Sequence, residues 1–446
     1  MKILLVNPPR SPHNAILACA PPEARRFIHK KLVGPPLGLL TLGAAAADHD
    51  VTLLEMKGEY DLDPAAPPPE EMVTDCLRRV NPDMVGVTFI ASELNAGMDI
   101  FRVVKNFNPE ILTVAGGLHA TLCPGHFDRE EVDIVCPGQA SGTFRALARA
   151  VEGKKGLDGV GGILARTGGG LAPTAAAAPD CDPAGEDFIM PDRSLLRRWI
   201  STYTVGKGYG PATYLFTSLG CPHRCSFCSI WPLFDGKFMQ RRVESVITEL
   251  KTLDDYPVVR FADANTIIST QWVERLFDRI EEEGINKDYI MDIRFDTAAR
   301  NPKLIEKLAR GGLKVVISGF ESFRNEELEQ YNKDSQAGLI SDAVRIFHDC
   351  GIMVRGNYVV PPEYDEDDFK ALADYAASHK VTYAGYTILS PMPGTEFYRQ
   401  VKDRIVEHDL SKYNFFNSVL KTRLPPERFH ENVGRLWTIK RGTDVI

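Results

Sequence analysis

Apolar and polar positions along the chain fall into two alternating series. In the first, a short apolar run over 2–6 stops at Asn7-Pro8-Pro9, and a helical pattern over 36–48 leads to a second apolar run at 51–54. A helix over 70–80, a strand over 84–89, a helix over 95–106 and a strand over 111–115 follow. Strands alternating with helices of this length predict an α/β fold with a parallel, doubly wound sheet, whose ligands sit beyond the carboxyl ends of the strands. Those ends carry Asn7, the segment from Thr88 to Ser92, and Gly116-Gly117-Leu118-His119. Glycine there lets the backbone approach a large ligand closely. A last strand near 162–165 runs into TGGGLAPTAAAAPD, which reads as a hairpin followed by a linker, and residues 206–210 read as a flexible loop.

The second series begins at Ala212. Strands over 214–218, 258–262, 289–295, 314–318, 353–359 and 382–390 alternate with helices over 243–253, 270–282, 302–310, 338–350 and 366–379, with a further helix after Asn325. Six β/α units are too few for a closed eight-stranded barrel, so the pattern predicts a partial barrel with an open side and its chemistry at the carboxyl ends of the strands. Polar residues at those ends are Asp263 and Asn265, Arg294 and Asp296, then Ser318, Gly319 and Glu321, and the segment PMPGT at 391–395. Beyond it lies a helical extension whose cluster Tyr413, Phe415, Phe416, Val419 and Leu420 either packs on its own domain or covers the open side and touches an apolar substrate. The division expected is 1–166 for the first domain, 167–211 for hairpin and linker, 212–395 for the barrel and 396–446 for the extension.

Composition changes this picture little. A chain of 446 residues, 44% hydrophobic, is long enough for two cores. A net charge of −8 without a long Lys/Arg run excludes nucleic acid as the main partner. No window approaches the roughly 18 apolar residues of a transmembrane segment, and MKILLVNPPR lacks a signal peptide's cleavage site, so a cytoplasmic protein is expected. Nine cysteines, an odd number, suit a reducing compartment better than a disulfide framework. Cys19, Cys76, Cys123, Cys136, Cys181 and Cys350 read as ordinary thiols.

The remaining three do not. In TSLGCPHRCSFCS, residues 217–229, Cys221, Cys225 and Cys228 form a C-x₃-C-x₂-C run. An iron–sulfur cube normally takes four thiolates, so this loop would leave one iron open to a substrate. The alternative is a zinc site completed by His223 or a distant residue, although no second knuckle is present. The run, with an aromatic before its third cysteine, resembles the cluster loop of the radical S-adenosylmethionine (SAM) enzymes. That resemblance implies a [4Fe-4S] cluster whose open iron chelates the amino and carboxylate groups of SAM. It places Arg294 on the SAM carboxylate, Glu321 and Asp263 toward the ribose and amino group, Phe227 near the adenine, and Ser318 among the strand-end residues of that site.

The segments VNPPR, GPPLGLLTLGAA, VGVTFIAS and VAGGLHATLCPGHF resemble the Rossmann-like cobalamin-binding domain that precedes the barrel in one large radical SAM class. Asn7, Thr88, Ser92, Gly116, Gly117 and His119 are the cofactor-binding positions so implied. There are departures. Gly138-Gln139-Ala140-Ser141 stands where the family has an acidic turn, and VVPPEYDEDDF where it has a glycine-proline turn. None of the ten histidines has Asp two residues before it, so a D-x-H-x-x-G ligand to cobalt is missing, and His119 and His126 are the histidines near the expected pocket. SIWPLFDGKFMQR, GFESFRNEELEQYNKDS and the tail are more similar to the hopanoid C-3 methylase branch than to the porphyrin-ring cyclases. The resemblance implies methyl transfer to an unactivated carbon, of a polycyclic lipid or other small molecule, with an electron donor such as flavodoxin or ferredoxin and the two cofactors facing one gap. Two alternatives stand beside it: a radical SAM cyclase, oxidase or rearrangement catalyst, and a non-enzymatic cobalamin- or zinc-binding regulatory module.

Overall fold

Strand β1 (Lys2–Asn7) buries every side chain from Ile3 to Asn7, as the core strand of a parallel sheet must. The computed structural model describes residues 1–28, 34–176, 182, 184–185, 187–205, 209–379, 381 and 383–439. Residues 177–180 of the Ala/Pro linker, Cys181 and residues 206–208 of the expected loop lie outside them. The chain divides into two units, Met1–Pro12 with Gly34–Tyr203, and His13–Val33 with Thr204–Ile446.

In the first unit β2 (Asp50–Glu55), β3 (Met84–Thr88), β4 (Leu112–Gly116) and β5 (Ile134–Cys136) join β1 in parallel, and the hairpin β6 (Leu164–Thr167) and β7 (Gly170–Pro173) extends the sheet antiparallel. The order is β2-β1-β3-β4-β5-β6-β7, so the winding reverses beside β1, where doubly wound folds open a crevice for ligands. The three-residue β5 carries too little pattern to be legible as a strand. The helix Pro69–Val80 illustrates how local sequence sets an element: Pro69 opens it, Glu70 and Glu71 complement its amino end, and Asn81 ends it at φ 48°. Met72, Val73, Cys76, Leu77 and Val80 are its buried face.

In the second unit β8 (Ala212–Leu215) is followed by a short antiparallel pair, β9 (Ser218–Gly220) and β10 (Phe238–Gln240), and then by β11 (Val258–Phe261), β12 (Asp288–Asp292), β13 (Leu313–Glu321), β14 (Met353–Val360) and β15 (Tyr383–Ile388). The six main strands are all parallel, in the order β15-β14-β13-β12-β11-β8, which is the partial barrel with β8 and β15 as its edges. Three boundaries differ from expectation. The run 214–218 breaks at Phe216–Thr217, because Thr217 turns its N–H to Asp263. The run 289–295 ends at Asp292, since Phe295 already opens the helix Phe295–Arg300. And β13 continues to Glu321 through a register shift.

The tail is less helical than expected. Short helical segments at Glu396–Val401, Lys402–Arg404 and Leu410–Lys412 precede an irregular stretch, and the helix Pro426–Leu436 follows. The irregular stretch spends its backbone on neighbours: Phe415 O accepts from Ile388 N of the edge strand β15 (3.0 Å), and Phe416 O accepts from Ile16 N (3.2 Å). Asn417 Oδ1 accepts from Ala15 N (2.9 Å) and Asn414 Nδ2 donates to His13 O (3.0 Å), strapping the tail to the helix Ala15–Cys19. Tyr413, Val419 and Leu420 are buried in this packing, and Phe415 is exposed. No described helix is long and apolar enough to cross a membrane.

Candidate active site

The cysteine loop is held from below by a buried carboxylate. Asp263, just past β11, accepts from Thr217 N (2.8 Å), Thr217 Oγ1 (2.6 Å) and Ser218 N (2.9 Å). Burial pushes its pKa up to about 6 against the pull of these bonds. With both oxygens engaged, Asp263 positions the approach to the loop. Gly220 then turns at φ 79°, where a Cβ would lie 2.0 Å from Lys237 O, so only glycine closes the β9–β10 pair.

Within the loop Cys228 N donates to Cys225 O (3.1 Å), Trp231 Nε1 donates to Cys225 O (2.9 Å) and Cys228 Sγ accepts from Ile230 N (3.4 Å). The segment following β13 packs on its outer side: Ser226 N donates to Tyr331 O (2.9 Å) and Asn332 Nδ2 to Arg224 O (2.7 Å). Phe227 stands edge-on to Tyr331, ring centres 5.6 Å apart, and joins Val359, Leu389 and Phe397.

Burial raises the pKa of all three thiols, that of Cys228 to about 11, while the charges of Lys333 and Arg294 pull Cys225 back. Thiolates here therefore call for additional positive charge. The three sulfurs do not converge as a single tetrahedral ion requires. Among the described residues, the group whose three donor atoms all lie within 4.8 Å of one another is His119, Cys123 and His126, in the first unit. The donor set thus fits a cluster better than zinc.

Arg294 grips Asp296 through Nε (3.0 Å) and Nη2 (2.8 Å), and Nη2 also donates to Asp334 O (2.7 Å). Burial works against the Asp296 carboxylate, yet Arg294 holds it below its usual range. Glu321, at φ 57°, accepts from Lys333 Nζ (2.7 Å), which also donates to Gly319 O (2.7 Å). Lys333 is a site residue that no sequence pattern marks: it lies in a polar stretch, and only the fold brings its charge to Cys225. Ser318 is fully buried with its Oγ unpartnered among the described residues, and Asn265 Nδ2 reaches only Ile267 O (3.5 Å). Thr395 caps the helix Glu396–Val401.

At the strand ends of the first unit, Asn7 Nδ2 donates to Glu55 Oε2 (2.6 Å), Lys57 Nζ donates to Asn7 Oδ1 (3.2 Å), and Lys57 pairs with buried Glu93 (2.8 Å). Burial pushes Glu55 up to about 7, against the bonds from Asn7 and the charge of Lys57. This cluster was not legible in the sequence beyond Asn7. Gly117 sits at φ 92°, where a Cβ would lie 2.6 Å from Thr88 Oγ1 and 2.8 Å from Phe89 N. At Gly116 a Cβ would meet only Cys136 O at 3.7 Å, and at Gly138 nothing within 4 Å, so the backbone there borders open space. Ser92 is buried beside Glu93. His119 is buried with Nε2 3.1 Å from His126 Nδ1, and burial lowers its pKa to about 4, so its ring is neutral at pH 7.

Residues 27–148 match the B12 binding domain and residues 215–376 the Radical SAM superfamily. An uncharacterized methyltransferase of Pyrococcus horikoshii is 27% identical over 435 residues, covering 95% of this chain and 88% of the relative. The hopanoid C-3 methylase of Methylococcus capsulatus is 24% identical over 422 residues, covering 92% and 77%. Among solved structures, the radical S-adenosylmethionine methyltransferase TsrM from Kitasatospora setae, with cobalamin and a [4Fe-4S] cluster bound, shares the fold with a TM-score of 0.67 at 17% identity, covering 90% of this chain and 74% of that one. A doubly wound domain, a six-stranded partial barrel and a three-cysteine loop after its first strand agree with both matches, and the chain combines a B12 binding domain with a radical SAM domain.

Proposed function

We propose that the protein transfers a methyl group to an unactivated carbon of a small molecule, using a [4Fe-4S] cluster, SAM and cobalamin. The observation that carries this reading is the loop of Cys221, Cys225 and Cys228, three half-buried thiols at the carboxyl end of a partial barrel with Arg294 and Lys333 beside them. When bound, the cluster and SAM supply a 5′-deoxyadenosyl radical and cobalamin supplies the methyl group, chemistry that belongs to the cofactors. The chain supplies grip, orientation and exclusion of water. Cys221, Cys225 and Cys228 hold the cluster. Arg294, whose Nη1 makes no hydrogen bond to a described residue, offers that edge to the SAM carboxylate while Asp296 fixes the other. Glu321, oriented by Lys333, faces the ribose, with Phe227 beside the adenine and Ser318 beneath. In the first unit Asn7, Thr88, Ser92, Gly116, Gly117 and His119 line the cobalamin pocket, with glycine backbone as the contact surface. A flavodoxin- or ferredoxin-type protein delivers the electron. The tail cluster gives no support to a polycyclic lipid as acceptor, because Tyr413, Val419 and Leu420 are spent on packing.

The test is anaerobic reconstitution with methyl-labelled SAM and a small-molecule extract of the source cells. Label in product is expected; product formed without label would replace methyl transfer by cyclisation or oxidation. Cys225→Ala is expected to bring reductive formation of 5′-deoxyadenosine to background with loss of bound iron, and persistent cleavage would refute the cluster assignment.

A further inference from the structure

The interior of the partial barrel carries charge that the cysteine loop does not use. Arg260 of β11 donates to Asp292 of β12 through Nε (3.1 Å) and Nη2 (2.8 Å), and through Nη1 to the Tyr214 hydroxyl of β8 (3.1 Å). Arg355, on β14, is held below the usual guanidinium range by burial and by the like charge of Arg260, with Asp292 pulling the other way, although β13 separates β14 from β12. The register sets Asp292, Ile317 and Arg355 at one level, so their side chains leave the sheet on the same face. Gly385 of β15 leaves them room, since a Cβ there would lie 2.6 Å from Asn357 Oδ1 and 3.8 Å from Arg355 Nε. At the amino end of the strands Ala212, Val258 and Ile290 pack with Val205 and Tyr209 as an apolar plug.

This layer holds two guanidinium groups and one carboxylate. Arg260 and Asp292 satisfy each other. The single hydrogen bond of Arg355 runs from Nε to Asn357 Oδ1 (3.3 Å). Its Nη1 and Nη2 find no acceptor among the described residues and are not sealed from solvent. A half-buried guanidinium with no carboxylate in hydrogen-bond contact is poorly compensated, and its planar fork matches a carboxylate or phosphate edge.

We propose that Arg355 receives the anionic group of the substrate, a carboxylate or a phosphate, so that the methyl acceptor is an anionic small molecule held charged end down in the lumen. This rests on the reading that the barrel is the substrate's chamber. The test is anomalous diffraction from crystals of the anaerobically prepared holoenzyme soaked in selenate or in 4-bromobenzoate, as tetrahedral and planar probes. A selenium or bromine peak beside Arg355 is expected, lost in Arg355→Gln and kept in Arg355→Lys, and the stronger of the two probes identifies the group. An empty lumen under both soaks, or a peak indifferent to Arg355→Gln, overturns the proposal, as does loss of SAM binding in Arg355→Gln, which would assign the guanidinium to the cofactor. In the labelling reaction, product retained on an anion exchanger is expected to fall at least about tenfold in Arg355→Gln and to recover partly in Arg355→Lys. Label entering only neutral, unretained product would sink the anionic substrate and leave methyl transfer intact; absence of label altogether would strike methyl transfer, with the soaks still deciding on Arg355.

Discussion

The strand ends of the two units treat charge in opposite ways. In the first, Asn7, Glu55, Lys57 and Glu93 close on one another, and what faces open space is glycine backbone at Gly116 and Gly138. In the second, the charged groups keep an open side: Nη1 of Arg294 at the cysteine loop and both Nη atoms of Arg355 in the lumen. One end presents shape, with its ionisable groups paired among themselves. The other presents charge, held in place by partners such as Asp296 and Asn357.

Substitutions that move a residue from one regime to the other sharpen this contrast. The largest effect is expected from Lys333→Met, which leaves the Glu321 carboxylate, 13% exposed, without its cation. Breaking a buried pair from one side costs about 3–5 kcal/mol, to be read from the denaturant midpoint. It also removes the charge that lowers Cys225, so bound iron per chain should drop. Next comes Glu55. Its folded pKa of about 7 lies above the ordinary 4.5, so its contribution is present at low pH and is lost as pH rises through about 7. The native chain should lose on the order of 3 kcal/mol across that window, whereas Glu55→Gln should be nearly flat in urea titrations over the same pH range. A native profile as flat as the variant's would show that Glu55 is charged and compensated in place. The smallest pair is Gly117→Ala against Gly116→Ala: about 2 kcal/mol and loss of retained cobalamin for the first, where a Cβ meets Thr88 Oγ1 at positive φ, and within about 0.5 kcal/mol for the second.

The alternation of strands and helices, the C-x₃-C-x₂-C loop and the glycine pair after β4 were legible because each is a local pattern. What escaped depends on distant residues meeting. Lys333 carries no motif and reaches Glu321 only because the segment after β13 folds back. Asp263 stands at a strand end, where a ligand contact is a fair expectation, but the break at Thr217 turns two backbone N–H groups and a hydroxyl onto it. Glu55 and Glu93 lie 38 residues apart in the chain and share Lys57, which no periodicity encodes. The irregular stretch between the helical segments of the tail escaped because its backbone bonds to distant residues, in β15 and at 13–16.

That strap sets the order in which the second unit can be completed. Ala15 and Asn417 are bonded across 402 residues, so the two sides of the contact are synthesised far apart in time. Contacts of such separation are slow to form. A fragment beginning at residue 204 would keep the edge strand β15 bonded through Phe415 but would leave Phe416 O and Asn417 without their partners on the early helix.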